Sequence, residues 1–456
     1  MPVVPRRSLL LAAPAVFLWP RLGLSQVDAM YDANLALVDG DSSGFLQAID
    51  AIAARGNPDM AAGVIDAMRF ASAPAAPFVE VLKSITGQDG GDDWFAWMVW
   101  QERHPEITPH PSYARWKREV YLRIDPNFDV FLKPEEIRRD RMKIRLEEIT
   151  WGGVLKDGIP SLDRPAMVPA AEASYLRGDD LVFGIAINGD VRAYPLRIMG
   201  WHEMFNDVIG GVPVALAYCT LCGSGILFET KVKGRKAPLI FGSSGFLYRS
   251  NKLMFDRATS SLWNQFTGKP VSGTLADSGL MLDQRPVVIA KWQDWSRDNP
   301  GTTVLSLETG YSRNYGSGVV YSDYFASKEL MFPAAVDDKT LRQKDYVFGL
   351  RLFGGAKAWP LSAFVRRRVI NDAFADHSVV LIGDATSRSV RAYERGAEQF
   401  AAKGDGLKSA DGAVWQISEE AITAADGRSF PRLAGQISYW FAWNGYVGAA
   451  SEFYQE

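Results

Sequence analysis

The chain has 456 residues, enough for two or three domains with sizeable cores, and its 47% hydrophobic and 12% aromatic content is that of a globular protein, not a disordered one. A formal net charge of −3 and a pI near 6.0 give no basis for a nucleic-acid partner or an anionic membrane surface.

At the N-terminus, Arg6-Arg7 precede an apolar run from Leu9 to Trp19, and small residues follow at Gly23-Leu24-Ser25 or Val27-Asp28-Ala29. Residues 1–25 therefore read as a signal peptide, and the mature protein as exported and periplasmic. Adjacent arginines before Ser-Leu-Leu resemble a twin-arginine signal, with Pro5 where Ser or Thr would strengthen the match; an ordinary secretory signal is the alternative. No other apolar run approaches the ~18 residues of a membrane span, so none is expected after cleavage.

Residues 26–150 read as a helical module. Phe45–Ile52, Ala61–Met68 and Phe78–Ile85 carry apolar residues at i, i+3, i+4 spacing, broken by Gly-Asn-Pro and Ala-Pro clusters. The aromatics of Asp93–Trp100 fit a core stripe, His104 and His110 fall in a Pro-rich loop and read as surface residues, and Lys133–Glu148 reads as a helix with a solvated, charge-alternating face. No chemistry is assigned here; the module reads as a scaffold.

From about Trp151 the pattern changes to strands and turns, and an internal repeat appears. Residues 181–229 align without a gap on 346–394 at a constant spacing of 165, sharing Val182/Val347, Gly184/Gly349, Pro195/Pro360, Asn206/Asn371 and Asp207/Asp372 among others. Trp263 has a counterpart in Trp415, and Trp292-x-x-Trp295 in Trp440-x-x-Trp443. The expected class is α+β: a helical module, then two related strand-rich halves, 151–330 and 331–456. Each half is expected to hold a hairpin with a glycine turn, a helix ending in Asn-Asp, and two strands.

The chemistry concentrates between Trp201 and Phe228, which holds both cysteines of the chain, Cys219 and Cys222, and one of its four histidines, His202. Alternating Val212, Val214, Leu216 and Tyr218 lead into the C-x-x-C, and Gly223-Ser224-Gly225 lead out, so the cysteines belong in a tight turn between strands. There, Gly223 would let the backbone aim N–H groups at sulfur. If Arg197–Ile209 is a short helix stopped by Gly210-Gly211, His202 on its inner face reaches the turn. Two thiolates and an imidazole suit zinc with an open position, or copper(I), with Met254 or water as the fourth ligand; a thioether favours copper. In an oxidising compartment the same pair also reads as a redox or structural disulfide, or as inert thiols.

The repeat acts as an internal control. At matched positions His202 faces Arg367, Cys219 faces Asp384 and Cys222 faces Ser387, so the whole proposed ligand set is missing from the second half, whereas Asn206-Asp207 persists and reads as capping and turn structure. His377 matches Val212 and reads as an exposed loop residue. The first half carries extra chain around Phe241–Arg257, which would line the site with Tyr248, Asn251, Met254 and Asp256; Trp263 and Gln265 are further pocket candidates. Glu203, Tyr248 and Asp256 are the candidate catalytic groups, although Glu203, next to a helical ligand, points roughly 100° away from it.

R-A-Y-P-L (192–196), W-H-E-x-x-N-D (201–207), Y-C-x-L-C-G-S (218–224) and S-N-K-L-M-F-D-R with S-L-W-N-Q (250–265) are together similar to the bacterial and archaeal family catalogued as domain of unknown function 3179. The resemblance covers roughly 145–456 and implies a shared site without a settled activity; Thr220 stands where the family usually has proline. No template for a zinc deaminase, covalent haem, a G-x-S-x-G elbow or a Walker loop is met. The expected function is an exported metalloprotein with one copper or zinc ion on His202, Cys219 and Cys222, read as a copper-dependent oxidoreductase on a small molecule. The alternatives are a thiol–disulfide redox protein using Cys219 and Cys222, and a non-catalytic metal-binding module.

Overall fold

The computed structural model describes residues 24–337 and 339–455. The expected signal therefore lies outside the described residues except for Leu24 and Ser25, which open the first helix. The fold is α+β. Helices run over Leu24–Asp39, Ser42–Arg55, Ala61–Phe70, Ala75–Thr86, Trp94–Arg103 and Tyr113–Ile124. Their ends are written locally: the Asp41 side chain accepts from the Gly44 N–H, Gly56 closes the same helix in the left-handed conformation, and Asp93 caps the aromatic helix through the Phe95 N–H.

Trp97 and Trp116 are buried with Ile52, Ile65 and Leu82, so the aromatic stripe is core. The same core takes in Phe246, Leu253 and Phe255 from a five-stranded sheet, so the helical residues cover that sheet's face and do not close a core alone. Two expectations are corrected here. Lys133–Glu148 forms turns ending in a 3-10 segment, Leu146–Glu148, and its charges pair off, as in Arg145–Glu148 and Lys143–Asp277. His110 is buried, its Nδ1 2.8 Å from Ser112 Oγ, while His104 is half-buried and stacks on Trp100.

Two stretches of the remaining chain have matching strand bounds. Leu181–Ile187 and Asp190–Pro195 form a hairpin with Val182 opposite Pro195; Tyr346–Leu352 and Gly355–Pro360 form another with Val347 opposite Pro360. Each gains an antiparallel strand (Val288–Lys291, Gly435–Tyr439), a Trp-led helix (Trp292–Asp298, Trp440–Val447) and a parallel strand (Thr303–Leu305, Ser451–Phe453). Gly184 and Gly349 exist to seat those helices: a Cβ would fall 2.3 Å from the Trp295 ring and 1.9 Å from the Trp443 ring. A three-stranded meander follows in each unit, Met204–Ile209, Val212–Cys219 and Ser224–Glu229 in the first, Val369–Phe374, His377–Asp384 and Ser389–Glu394 in the second.

The helix expected over Arg197–Ile209 is half helix and half strand. It spans Leu196–His202 and ends because Glu203 takes φ +55°, after which Met204–Ile209 is extended. Asn206 and Asp207 therefore sit on a strand and do not end a helix. The Asn206 side chain brackets the Phe241 backbone, accepting from its N–H at 2.8 Å and donating to its carbonyl at 2.9 Å, and Asn371 does the same to Phe400. Asp207 accepts from Tyr194 Oη and Asp372 from Trp359 Nε1, both at 2.8 Å. Their role is scaffold, by bridging strands. His377 opens a strand, half-buried, with Nε2 2.9 Å from the Phe353 carbonyl. Among the described residues no helix is long and apolar enough to cross a membrane.

Candidate functional site

The cysteines end one strand and precede the next, so their loop must reverse the chain in four residues. The Cys222 N–H donates to the Cys219 carbonyl and the Gly223 N–H to the Thr220 carbonyl, each at 3.2 Å, and Gly223 takes φ +60° with its Cα against Tyr346, whose ring a Cβ would meet at 2.9 Å. These N–H groups bond carbonyls, not sulfur as expected. Cross-strand pairing of Cys219 with Ser224 and the turn then bring the two sulfurs to 2.8 Å. Both thiols are free and buried, with 2% of Cys219 and none of Cys222 exposed. Cys222 Sγ also lies 3.5 Å from the Ser250 carbonyl, and the Tyr439 N–H donates to the Cys222 carbonyl at 2.8 Å. Burial pushes the Cys222 thiol well up, reinforced by the Cys219 sulfur and the Glu203 carboxylate.

Cys219 faces a cavity of about 40 Å³ that it lines with Glu203, Thr220, Phe246, Lys252 and Tyr321. Glu203 is its polar centre. Its carboxylate accepts from Thr220 Oγ1 and Lys252 Nζ, each at 2.8 Å, and from Tyr321 Oη at 3.2 Å. Glu203 and Lys252 form an ion pair with both side chains buried. Glu203 and Tyr321 both hold positive φ, +55° and +54°, a conformation that costs about 1–3 kcal/mol in a residue other than glycine. The Glu203 charge, then burial, pushes the Tyr321 hydroxyl far up.

His202 does not join the sulfurs. It is buried with Nδ1 2.9 Å from the Pro160 carbonyl and Nε2 2.6 Å from Tyr315 Oη, and burial lowers its pKa. Among the described residues no three His, Cys, Asp or Glu side chains converge in a metal-holding group. The helical spacing expected between His202 and Glu203 does not apply, because Glu203 leaves the helix in the left-handed conformation, and it is Glu203 that turns toward the cysteines.

Met254 is buried in the same apolar cluster as both cysteines. Asp256 accepts from the Thr259 N–H and hydroxyl and from Trp263 Nε1, a turn-holding role, and Trp263 packs edge-on against Phe241 as Trp415 does against Phe400. Gln265 Nε2 donates to the Ala217 carbonyl at 2.9 Å, stapling the strand that carries Cys219. Asn251 is buried with no hydrogen-bond partner for either side-chain atom, and the Ser224 and Ser250 hydroxyls are likewise unpartnered. Tyr248 lies elsewhere, on a cavity of about 630 Å³ beside residues 108–114 and 137–148. Lys252, Thr220 and Tyr321 were missed. Lys252 lies within the extra chain that marks the first half, whereas nothing in the sequence ties Tyr321 to the cysteines.

Fold and site thus define an α+β protein with a buried dithiol turn in one of two matching strand units. The family described as a protein of unknown function (DUF3179) matches residues 156–450, and the chain belongs to that family. Comparison with curated proteins and with solved structures found no match.

Proposed function

We propose that Cys219 and Cys222 are a thiol–disulfide redox couple that reduces a small oxidant. The observation that carries this reading is the contact of two free, buried sulfurs at 2.8 Å, with Cys219 on a cavity that also holds a buried carboxylate–ammonium pair. Cys219, as thiolate, attacks one atom of an S–S or O–O bond and the other atom leaves. Cys222 then attacks Cys219 Sγ and expels the first. Two thiols lose two electrons and two protons, one S–S bond forms, and the oxidant is cleaved into two protonated halves. Lys252 offsets the charge of the thiolate, and Glu203, through Thr220, exchanges its proton. The signal-like N-terminus would put this couple in the periplasm.

A copper or zinc ion on the two sulfurs is the competing reading, and the imidazole expected to complete it is held by Pro160 and Tyr315. Free-thiol titration and metal analysis of the exported full-length chain, with Cys219→Ser and His202→Ala alongside, separate the two. Two thiols that interconvert with a disulfide, independently of His202, are expected. About one copper or zinc per chain, lost in both variants, would overturn the redox reading.

A further inference from the structure

Resting on that redox reading, we infer that the oxidant is hydrogen peroxide or a hydroperoxide of similar size. Neither sulfur is open to a macromolecular or peptide disulfide, since Cys219 is almost fully buried and Cys222 completely so. The cavity beside Cys219, about 40 Å³, holds a molecule of about two to three heavy atoms. Its walls are divided by chemistry. Val154, Ile159 and Leu247 close it on apolar surface, while Thr220, Lys252 and Tyr321 bring hydroxyl and ammonium donors around the Glu203 carboxylate. That arrangement suits a small ligand whose oxygens both donate and accept, and it puts the Lys252 ammonium, paired with Glu203, on the wall of the same cavity.

The reaction balances without a further reagent. Cys219 sulfur attacks one peroxide oxygen and the O–O bond breaks; the thiol proton, passed by Glu203, ends on the departing oxygen as water, leaving Cys219 as sulfenic acid. Cys222, already at 2.8 Å, attacks that sulfur, its proton goes to the sulfenic oxygen, and a second water leaves as the disulfide closes. Hydrogen peroxide and two thiols become a disulfide and two waters. The resolving thiol needs no loop movement.

The test uses the reduced full-length chain and compares hydrogen peroxide, cumene hydroperoxide and oxidised glutathione by thiol loss and intact mass. Hydrogen peroxide is expected to oxidise the pair at least about a hundredfold faster than the bulky reagents, the order of discrimination a closed pocket gives. Cys222→Ser should stop at a Cys219 sulfenic acid, read as the gain of one oxygen in the intact mass, and Lys252→Met should slow the peroxide reaction about a hundredfold. Rapid oxidation by glutathione disulfide with sluggish reaction toward peroxide overturns the inference and leaves the redox couple standing. A pair that no oxidant converts to a disulfide overturns both.

Discussion

Two turns of this molecule share a backbone and differ in what they carry. Cys219–Ser224 and Asp384–Ser389 join strands of matching register, with Cys219 opposite Ser224 and Asp384 opposite Ser389. Both make the same contact across the turn: sulfur to sulfur at 2.8 Å in the first, Ser387 Oγ to Asp384 Oδ2 at 2.7 Å in the second. Gly223 at φ +60° is matched by Arg388 at φ +57°. Asp384, however, is exposed, and Arg388 reaches across to stack on Tyr346 and bond its hydroxyl. Where Glu203 turns inward, its counterpart Arg368 is exposed and donates to the Gly404 and Asp405 carbonyls. The pairing geometry is a property of the fold; enclosure and an ion pair are what the first turn adds to it.

Making the first turn resemble the second is the most disruptive change. Cys219→Asp with Cys222→Ser should abolish thiol oxidation and, by placing a carboxylate in the enclosed turn, cost about 3–5 kcal/mol in urea unfolding. The reverse change, Asp384→Cys with Ser387→Cys, should give a pair with one exposed sulfur, at 384, that glutathione disulfide oxidises readily. Lys252→Met alone strands the buried Glu203 charge and is expected to cost about 3 kcal/mol, much of it recovered in the double variant with Glu203→Gln; equal losses in single and double variants would refute the pairing. Gly223→Ala, set against the Tyr346 ring at positive φ, should lose about 1–3 kcal/mol, whereas Arg388→Gly, relieving the same φ in the open turn, should change stability by less.

The smallest effect concerns His202 and its exposed counterpart Arg367. Burial holds the folded His202 below the ~6.5 of an unfolded histidine, so the unfolded chain binds the extra proton. Stability is complete above about pH 6.5 and falls as pH drops through the lowered folded value. Unfolding curves between pH 8 and pH 5, flattened in His202→Gln, check this sign.

The helical start, the α+β class, the turn that holds both cysteines and the matching strand bounds were legible because apolar periodicity and repeated spacing report burial directly. The ligand partnership of His202 was not. Which of two adjacent side chains faces the sulfurs depends on the sign of φ at Glu203, and Met204 and Phe205, buried on the following strand, mimic a continuing helix. Tyr113–Ile124 escaped because Arg115, Lys117, Arg118 and Glu119 mask its apolar face, although Lys117 is itself buried against Asp66 at 2.8 Å. Tyr321 reaches Glu203 from a segment distant in sequence, and no local pattern signals such a contact.

Part of the cover over Cys222 comes from a stretch distant in sequence. Gly435–Tyr439 pairs with Tyr346–Leu352, the Tyr439 N–H holds the Cys222 carbonyl, and the Tyr446 hydroxyl bonds the Tyr248 carbonyl. A ribosome delivers these residues long after the turn they cover. A nascent chain therefore carries Cys222 without this part of its cover until Gly435–Tyr439 has emerged, and a chain truncated before Gly435 never gains it, so reactivity of Cys222 toward a bulky alkylating reagent reports whether that strand is in place.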